Sequence, residues 1–293
     1  MAEVLSPPTA PHDISTTLNY FVPLDSNAPY DYIYGPPPGV PKSNIGVEPY
    51  PAVVHDVRGT PLEHGAELDV QGFQFVQHES REKDFVDEEG LKGGYYKEVE
   101  ELLLKVVPGA KRVHVFDHTI RRREEDPVIR DQGARGPVLR VHVDQTYDAA
   151  RGRVRRHLPD DADRLLQSRV RLINVWRPIA HPVYHNPLAV ADWRSVDPAA
   201  DLVHTRYIYP DFEGSTFNVK WNATHRWYYL AQQRPDEVLL VKCYDSEEAD
   251  GARNGNGNVA RAIPHSSFVD ASSGPEKPRR QSIELRCLVF DAE

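Results

Sequence analysis

His142, Asp144 and His265 are the residues whose types and order suit a metal ion in this 293-residue chain. His142-Val143-Asp144 lies in PVLRVHVDQT, where Val138, Arg140, His142 and Asp144 alternate as they would along one side of a strand. On a strand, residues i and i+2 point to one face, so an imidazole and a carboxylate there can grip one ion together. A lone His-x-Asp carries little weight in a chain with 13 histidines. Its order with distant residues carries more. His265 stands 121 positions beyond Asp144, in IPHSSF, and Arg280-Gln281-Ser282 begins 15 positions later. Two imidazoles and one carboxylate leave open positions on one side of a metal, which suits a bidentate co-substrate and O₂. An Arg-x-Ser on a strand aims a guanidinium fork and a hydroxyl at one face, where they can hold a distal carboxylate. Arg286, at an even offset from Arg280, shares that face and is the second candidate for the anchor. The competing explanation is a buried His142–Asp144 pair and an Arg280 salt bridge, without metal.

Other side chains are weighed in the same way. In INVWRPI, Asn174 and Trp176 share one strand face, and inside a barrel they would offer a ligand an amide and a flat wall. Arg177 on the opposite face reads as a buried ion pair. Trp227, Tyr228 and Tyr229 read as packing, and His181, His185, His204 and His225 as surface or satisfied core groups. His114 and His118 flank Asp117, but their spacing on an alternating strand divides them between faces, which argues against a second metal site.

The elements that must position these residues are mostly strands. Residues 1–60 hold much of the proline, including YGPPPGVPKSN at 34–44, and proline forces extended or turning backbone. This stretch reads as an arm packed on a core domain at 61–293. It can cover its own barrel or reach across to a second subunit, so a homo-oligomer stays open. AELDVQGFQFVQHES (66–80) reads as a hairpin or two short strands. VDEEGLKGGYYKEVEELLLKVV (86–107) carries apolar residues at helical spacing and ends at Pro108-Gly109. Strands are expected at 111–120, 137–146, 171–179, 205–210, 225–232, 237–245 and 282–290, and a second helix at 160–171. Strands that do not alternate with helices point to a barrel or a double-sheet jelly roll.

The formal charge is -9 and the pI about 5.8, an overall field that repels a phosphate backbone and argues against nucleic acid. The short basic runs Arg121–Arg123 and Arg151–Arg156 read as solvated faces among acidic neighbours. The two cysteines, Cys243 and Cys287, read as buried thiols on strands rather than a disulfide framework. The first twenty residues lack the basic and apolar regions of a signal peptide, and no long uncharged apolar run predicts a membrane span. A cytoplasmic protein is expected.

The blocks VHVDQT, INVWRPI with NPLAVAD, HRWYYL with PDEVLLVKCYDS, and IPHSSF with RQSIELRCLVF resemble the fungal hydroxylase/desaturase family of secondary metabolism. That family includes gibberellin desaturases and relatives of the cephamycin methoxylation proteins. LNYF and VHDVRG…GFQFV also fit, so the resemblance runs through most of the chain in one order. It implies a mainly β, double-stranded β-helix (cupin-like jelly-roll) core with flanking helices, Fe(II), 2-oxoglutarate and O₂. It implies hydroxylation or desaturation of a small-molecule metabolite by hydrogen abstraction at the iron, with succinate and CO₂ formed. It casts His142, Asp144 and His265 as the iron ligands, Arg280 as the co-substrate anchor and Ser282 as its support. The Gly/Asn-rich GARNGNGNV (251–259) departs from the family and reads as a flexible loop at the site mouth, where substrate selection can differ. Three alternatives stay open at this point: a cupin-type metalloenzyme without 2-oxoglutarate, a non-catalytic small-molecule-binding β-barrel, and a demethylase of nucleic acid or protein.

Overall fold

The structure, a computed structural model, describes residues 11–122, 136–247 and 259–293. The GARNGNGNV loop, apart from Val259, and Arg123 with the acids after it lie outside the described residues. Fourteen strands are described: β1 (Ile14–Pro23), β2 (Tyr30–Tyr32), β3 (Ile45–Asp56), β4 (Phe73–Gln77), β5 (Arg112–Arg121), β6 (His142–Val143) and β7 (Val170–Pro178), then β8 (Leu188–Ala191), β9 (Leu202–Ile208), β10 (Glu213–Val219), β11 (Trp227–Tyr229), β12 (Glu237–Asp245), β13 (His265–Ser267) and β14 (Ser282–Phe290). They form a nine-stranded sheet, β1-β3-β11-β8-β13-β6-β10-β9-β2, and a five-stranded sheet, β4-β12-β7-β14-β5. This is the mainly β, double-sheet jelly roll expected from the order of strands.

The core lies between the sheets. Leu172, Trp176, Leu239, Val241 and Leu288 of the smaller sheet meet Leu188 and Val190 of the larger one. β7 and β12 are buried along their whole length, because this sheet is covered on both faces. Its outer face, with Ile173, Val175, Leu240 and Leu285, packs against helix α1 (Tyr96–Val106) through Val99, Leu102 and Leu103. Burying each such leucine contributes roughly 1.5–3 kcal/mol. The N-terminal segment is woven into the larger sheet: β1 pairs with β3 in antiparallel register, and β3 runs parallel to β11. β1 also reaches the functional strand, because Asn19 accepts from the Val141 N–H at 2.9 Å and its side-chain amide donates to the Leu139 carbonyl.

Several expected elements differ. The helix expected at 86–107 forms with a π-turn, Leu91–Tyr95, between Glu88–Gly90 and α1. Gly93 and Gly94 sit in that turn, where glycine weakens regular helix. The helix expected at 160–171 shrinks to one turn, Ala162–Leu165, because Val170 is drawn into β7. A real helix, α2 (Tyr147–His157), was not expected, since only Ala150 and Val154 bury and the rest reads as a basic run. Thr146 caps it by accepting from the Ala149 N–H, and its last turn carries Arg155, Arg156 and His157, where cations suit the helix dipole. Of the two strands expected at 66–80, only Phe73–Gln77 forms. Gly72 turns there with φ +87°, and a Cβ at that position would collide with Ile263, two residues before His265. No helix among the described residues is long and apolar enough to cross a membrane.

Candidate metal centre

Strand register assembles the centre. β13 lies between β6 and β8, and His265 pairs directly across from His142. The expected strand at 137–146 narrows to His142–Val143, because Asp144 already leads into the cap of α2. The two imidazole rings stand 4.5 Å apart, centroid to centroid. Asp144 Oδ1 lies 3.3 Å from His142 Nε2 and 3.6 Å from His265 Nε2. One ligand atom from each of the three falls within 4.8 Å of the others, the only such grouping among the described residues.

Both rings are oriented by their own strands. His142 Nδ1 meets the Arg140 carbonyl at 2.7 Å, and His265 Nδ1 meets the Ile263 carbonyl at 3.3 Å. Each contact requires the proton on Nδ1, which leaves the Nε2 lone pair for a metal. Burial, reinforced by the neighbouring His265, pushes the His142 imidazole toward its neutral form. Burial would raise Asp144, but Arg286 above all, and then the two histidines, hold it well below the usual carboxylate range. Burial opposes a charge on His265, but the Asp144 carboxylate beside it raises its imidazole above the ordinary value, so a metal there displaces a proton. Two imidazoles and one carboxylate form a donor set that fits a divalent transition metal.

The smaller sheet contributes the groups behind Asp144. Asn174 and Arg286 are direct neighbours across the β7–β14 ladder. Asn174 Nδ2 donates to Asp144 Oδ2 at 2.7 Å, and Arg286 Nε donates to the same oxygen at 3.2 Å. The other nitrogens of Arg286 serve Asp117, Thr119 and Glu284. A bulge where Arg286 and Cys287 face Asp117 and Val115 interrupts the β14–β5 register beside these contacts.

Arg280 is of a different kind. It is 8 % exposed, and Nη1 donates to the Asn186 carbonyl at 2.6 Å and to Ser267 Oγ at 2.7 Å. Both partners are neutral, and Nε has none among the described residues. The guanidinium stands 5.6 Å from the Trp176 ring. Burial above all, with Arg121 nearby, pulls it down to about 9 against the weaker opposing pull of Glu284, the mark of a cation with no anion bonded to it. Ser282 Oγ is buried two positions along the chain and also lacks a partner among the described residues. Ser267 is two residues from His265 on the same strand face, about 6–7 Å along the strand. That span is commensurate with a five-carbon diacid reaching from the metal to Arg280, so the cradle fits 2-oxoglutarate.

The remaining candidates fall away from the centre. Arg177 faces outward, donating to His78 Nδ1 and the Pro235 carbonyl under the Tyr95 ring, rather than forming the direct ion pair expected. Trp227 and Tyr229 are buried packing residues. His118 bonds to Tyr96 and lies against Glu88. Nothing in the spacing signalled the contacts of Asn174 and Arg286 with Asp144, because they depend on one sheet facing the other.

Residues 18–290 match the family model described as an oxidoreductase/YMDC permease-like domain. The chain is 37 % identical to the hydroxylase/desaturase efuI of Hormonema carpetanum, over 94 % of this chain and 95 % of that protein. It is 35 % identical to the Fe(II)/2-oxoglutarate-dependent dioxygenase nvfI of Aspergillus novofumigatus, over 92 % and 94 % of the two chains. A solved structure of the iron and alpha-ketoglutarate-dependent endoperoxidase NvfI superposes with a TM-score of 0.81 at 30 % identity, covering 95 % of this chain and 98 % of that one. The chain therefore belongs to the hydroxylase/desaturase family of Fe(II)/2-oxoglutarate-dependent dioxygenases, and it is a non-haem iron enzyme of that class.

Proposed function

We propose that His142, Asp144 and His265 hold the iron, that Arg280 and Ser282 hold the far carboxylate of 2-oxoglutarate, and that the enzyme hydroxylates or desaturates a small secondary metabolite. The observation that carries the assignment of the anchor is the buried Arg280 guanidinium, which has only neutral partners and lies beside an unpartnered Ser282 hydroxyl. A buried cation of this kind is costly unless an anion joins it, and a carboxylate meets a guanidinium fork with charge-assisted bonds. Arg286, already engaged with three carboxylates, is the poorer anchor.

When bound, iron and 2-oxoglutarate supply the oxidising chemistry, with O₂ consumed and succinate and CO₂ formed. The protein's own residues orient and enclose. The backbone carbonyls of Arg140 and Ile263 keep the two Nδ1 protons in place, so the Nε2 atoms stay available. Trp176 backs Arg280, and the apolar cluster around Val190 and Val241 keeps water from the inner side. Relatives of this fold are named hydroxylase/desaturase and endoperoxidase. The outcome is then set by which C–H bond the protein presents, not by the ligand set. The two free, buried thiols, Cys243 and Cys287, fit a reducing, cytoplasmic setting.

Metal content tests the triad. Anaerobic reconstitution of the wild type is expected to retain about one Fe(II) per chain, and Asp144→Ala and His265→Ala variants none after desalting. Equal retention by all three proteins would remove the assignment.

A further inference from the structure

We infer that Asn174 and Arg286 form a clamp that keeps Asp144 a one-oxygen ligand. They act as positioning residues for the iron rather than as groups that touch 2-oxoglutarate. The inference rests on the proposed triad. Asp144 has two oxygens with different surroundings. Oδ1 faces both imidazole Nε2 atoms, at 3.3 and 3.6 Å. Oδ2 is held from the opposite sheet by Asn174 Nδ2 at 2.7 Å and Arg286 Nε at 3.2 Å. A carboxylate whose second oxygen accepts two fixed donors cannot swing to chelate without giving up both bonds.

The clamp is itself fixed. Asn174 and Arg286 sit side by side on β7 and β14, so their spacing is set by the ladder rather than by flexible side chains. Asp117, Thr119 and Glu284 occupy the other nitrogens of Arg286 and leave the Nε–H aimed at Asp144. Asn174 cannot be flipped, because a carboxylate oxygen must receive a proton and only the amide nitrogen supplies one.

The consequence is a count of coordination positions. A six-coordinate ion with three protein atoms keeps three vacancies, enough for a chelating 2-oxo acid and one O₂. If Asp144 bound through both oxygens, one vacancy would be lost. The clamp thereby protects the position that the reaction needs, and it holds Asp144 in place before any metal arrives.

The probe is Co(II) alone, titrated anaerobically into the metal-free protein and followed by calorimetry and by its visible spectrum. The wild type is expected to bind one ion. Asn174→Leu removes the amide and nearly preserves volume, and Arg286→Gln removes the charge. Each is expected to weaken Co(II) binding about 10–100-fold and to change the intensity of the visible band as Asp144 becomes free to chelate. Arg286→Gln also frees Glu284 and Asp117, so Asn174→Leu serves if that variant is unstable. Variants with wild-type affinity and spectrum would overturn the clamp while leaving the triad standing. Failure of the wild type to bind Co(II) would overturn the triad, and the clamp with it.

Discussion

Ser282 is buried in a strand, yet its hydroxyl bonds to nothing among the described residues. A hydroxyl that stabilises the fold would have a partner; one that serves a ligand need not have one until the ligand binds. Ser282→Ala should therefore leave the melting temperature of the metal-free enzyme within a degree or two. It should raise the KM for 2-oxoglutarate about 2–10-fold, the value of one neutral hydrogen bond of roughly 0.5–1.5 kcal/mol. Thermal melting and 2-oxoglutarate-dependent succinate formation measure the two effects. A large loss of stability with an unchanged KM would make Ser282 a packing residue. At this scale the sequence was informative about identity and silent about pairing. His142, Asp144, His265, Arg280 and Ser282 stood out as candidates because a fixed order of residue types carries them. That Arg286 and Asn174 meet Asp144 was not legible, because even spacing along a strand gives a face but not what lies opposite.

Among the elements, β1 and β11 are joined by a buried chain of bonds outside the iron site. Trp227 Nε1 donates to Tyr20 Oη at 2.9 Å, Tyr20 Oη lies 3.1 Å from His225 Nδ1, and His225 Nε2 lies 3.0 Å from Asp201. Burial holds the His225 imidazole below its ordinary value, despite the opposing pull of Asp201. The folded state thus resists a proton that the unfolded chain accepts below about pH 6.5. Stability is unaffected by this group above that pH and falls as the pH drops from there toward the folded value, by at most about 1.4 kcal/mol per pH unit. His225→Gln should lower stability at pH 7.5 and flatten part of the decline between pH 7 and 5, as read by urea denaturation across pH. An unchanged slope would mean that His225 takes no part in the acid response. The long strands β12 and β14 matched the sequence residue for residue, because apolar runs broken only by Lys242 or by the alternating Glu284 and Arg286 leave little choice. The short elements did not. β6 is two residues long, and α2 buries only one residue per turn, so periodicity had too little to work with.

For the whole molecule, two sheets act as two halves of one site. The larger sheet supplies both imidazoles, Asp144 follows β6 directly, and the smaller sheet supplies Asn174, Arg286 and Ser282, the groups proposed to fix the carboxylate and to help hold the co-substrate. The fold class followed from strands that do not alternate with helices. The contribution of residues 14–56 to the larger sheet did not, because Pro23 at the end of β1 and Pro49 and Pro51 within β3 disguised both as irregular chain. A His-Asp-His iron and a 2-oxoglutarate carboxylate on Arg280 are proposed to meet between the two sheets. The most direct test is an anaerobic titration of the Fe(II)-loaded enzyme with 2-oxoglutarate, followed through the weak visible charge-transfer band of the chelate. The wild type should develop the band with saturation, and Arg280→Gln should require about 100-fold more 2-oxoglutarate, since two charge-assisted bonds are lost. No band in the wild type, or the same half-saturation in Arg280→Gln, would contradict this placement of iron and co-substrate.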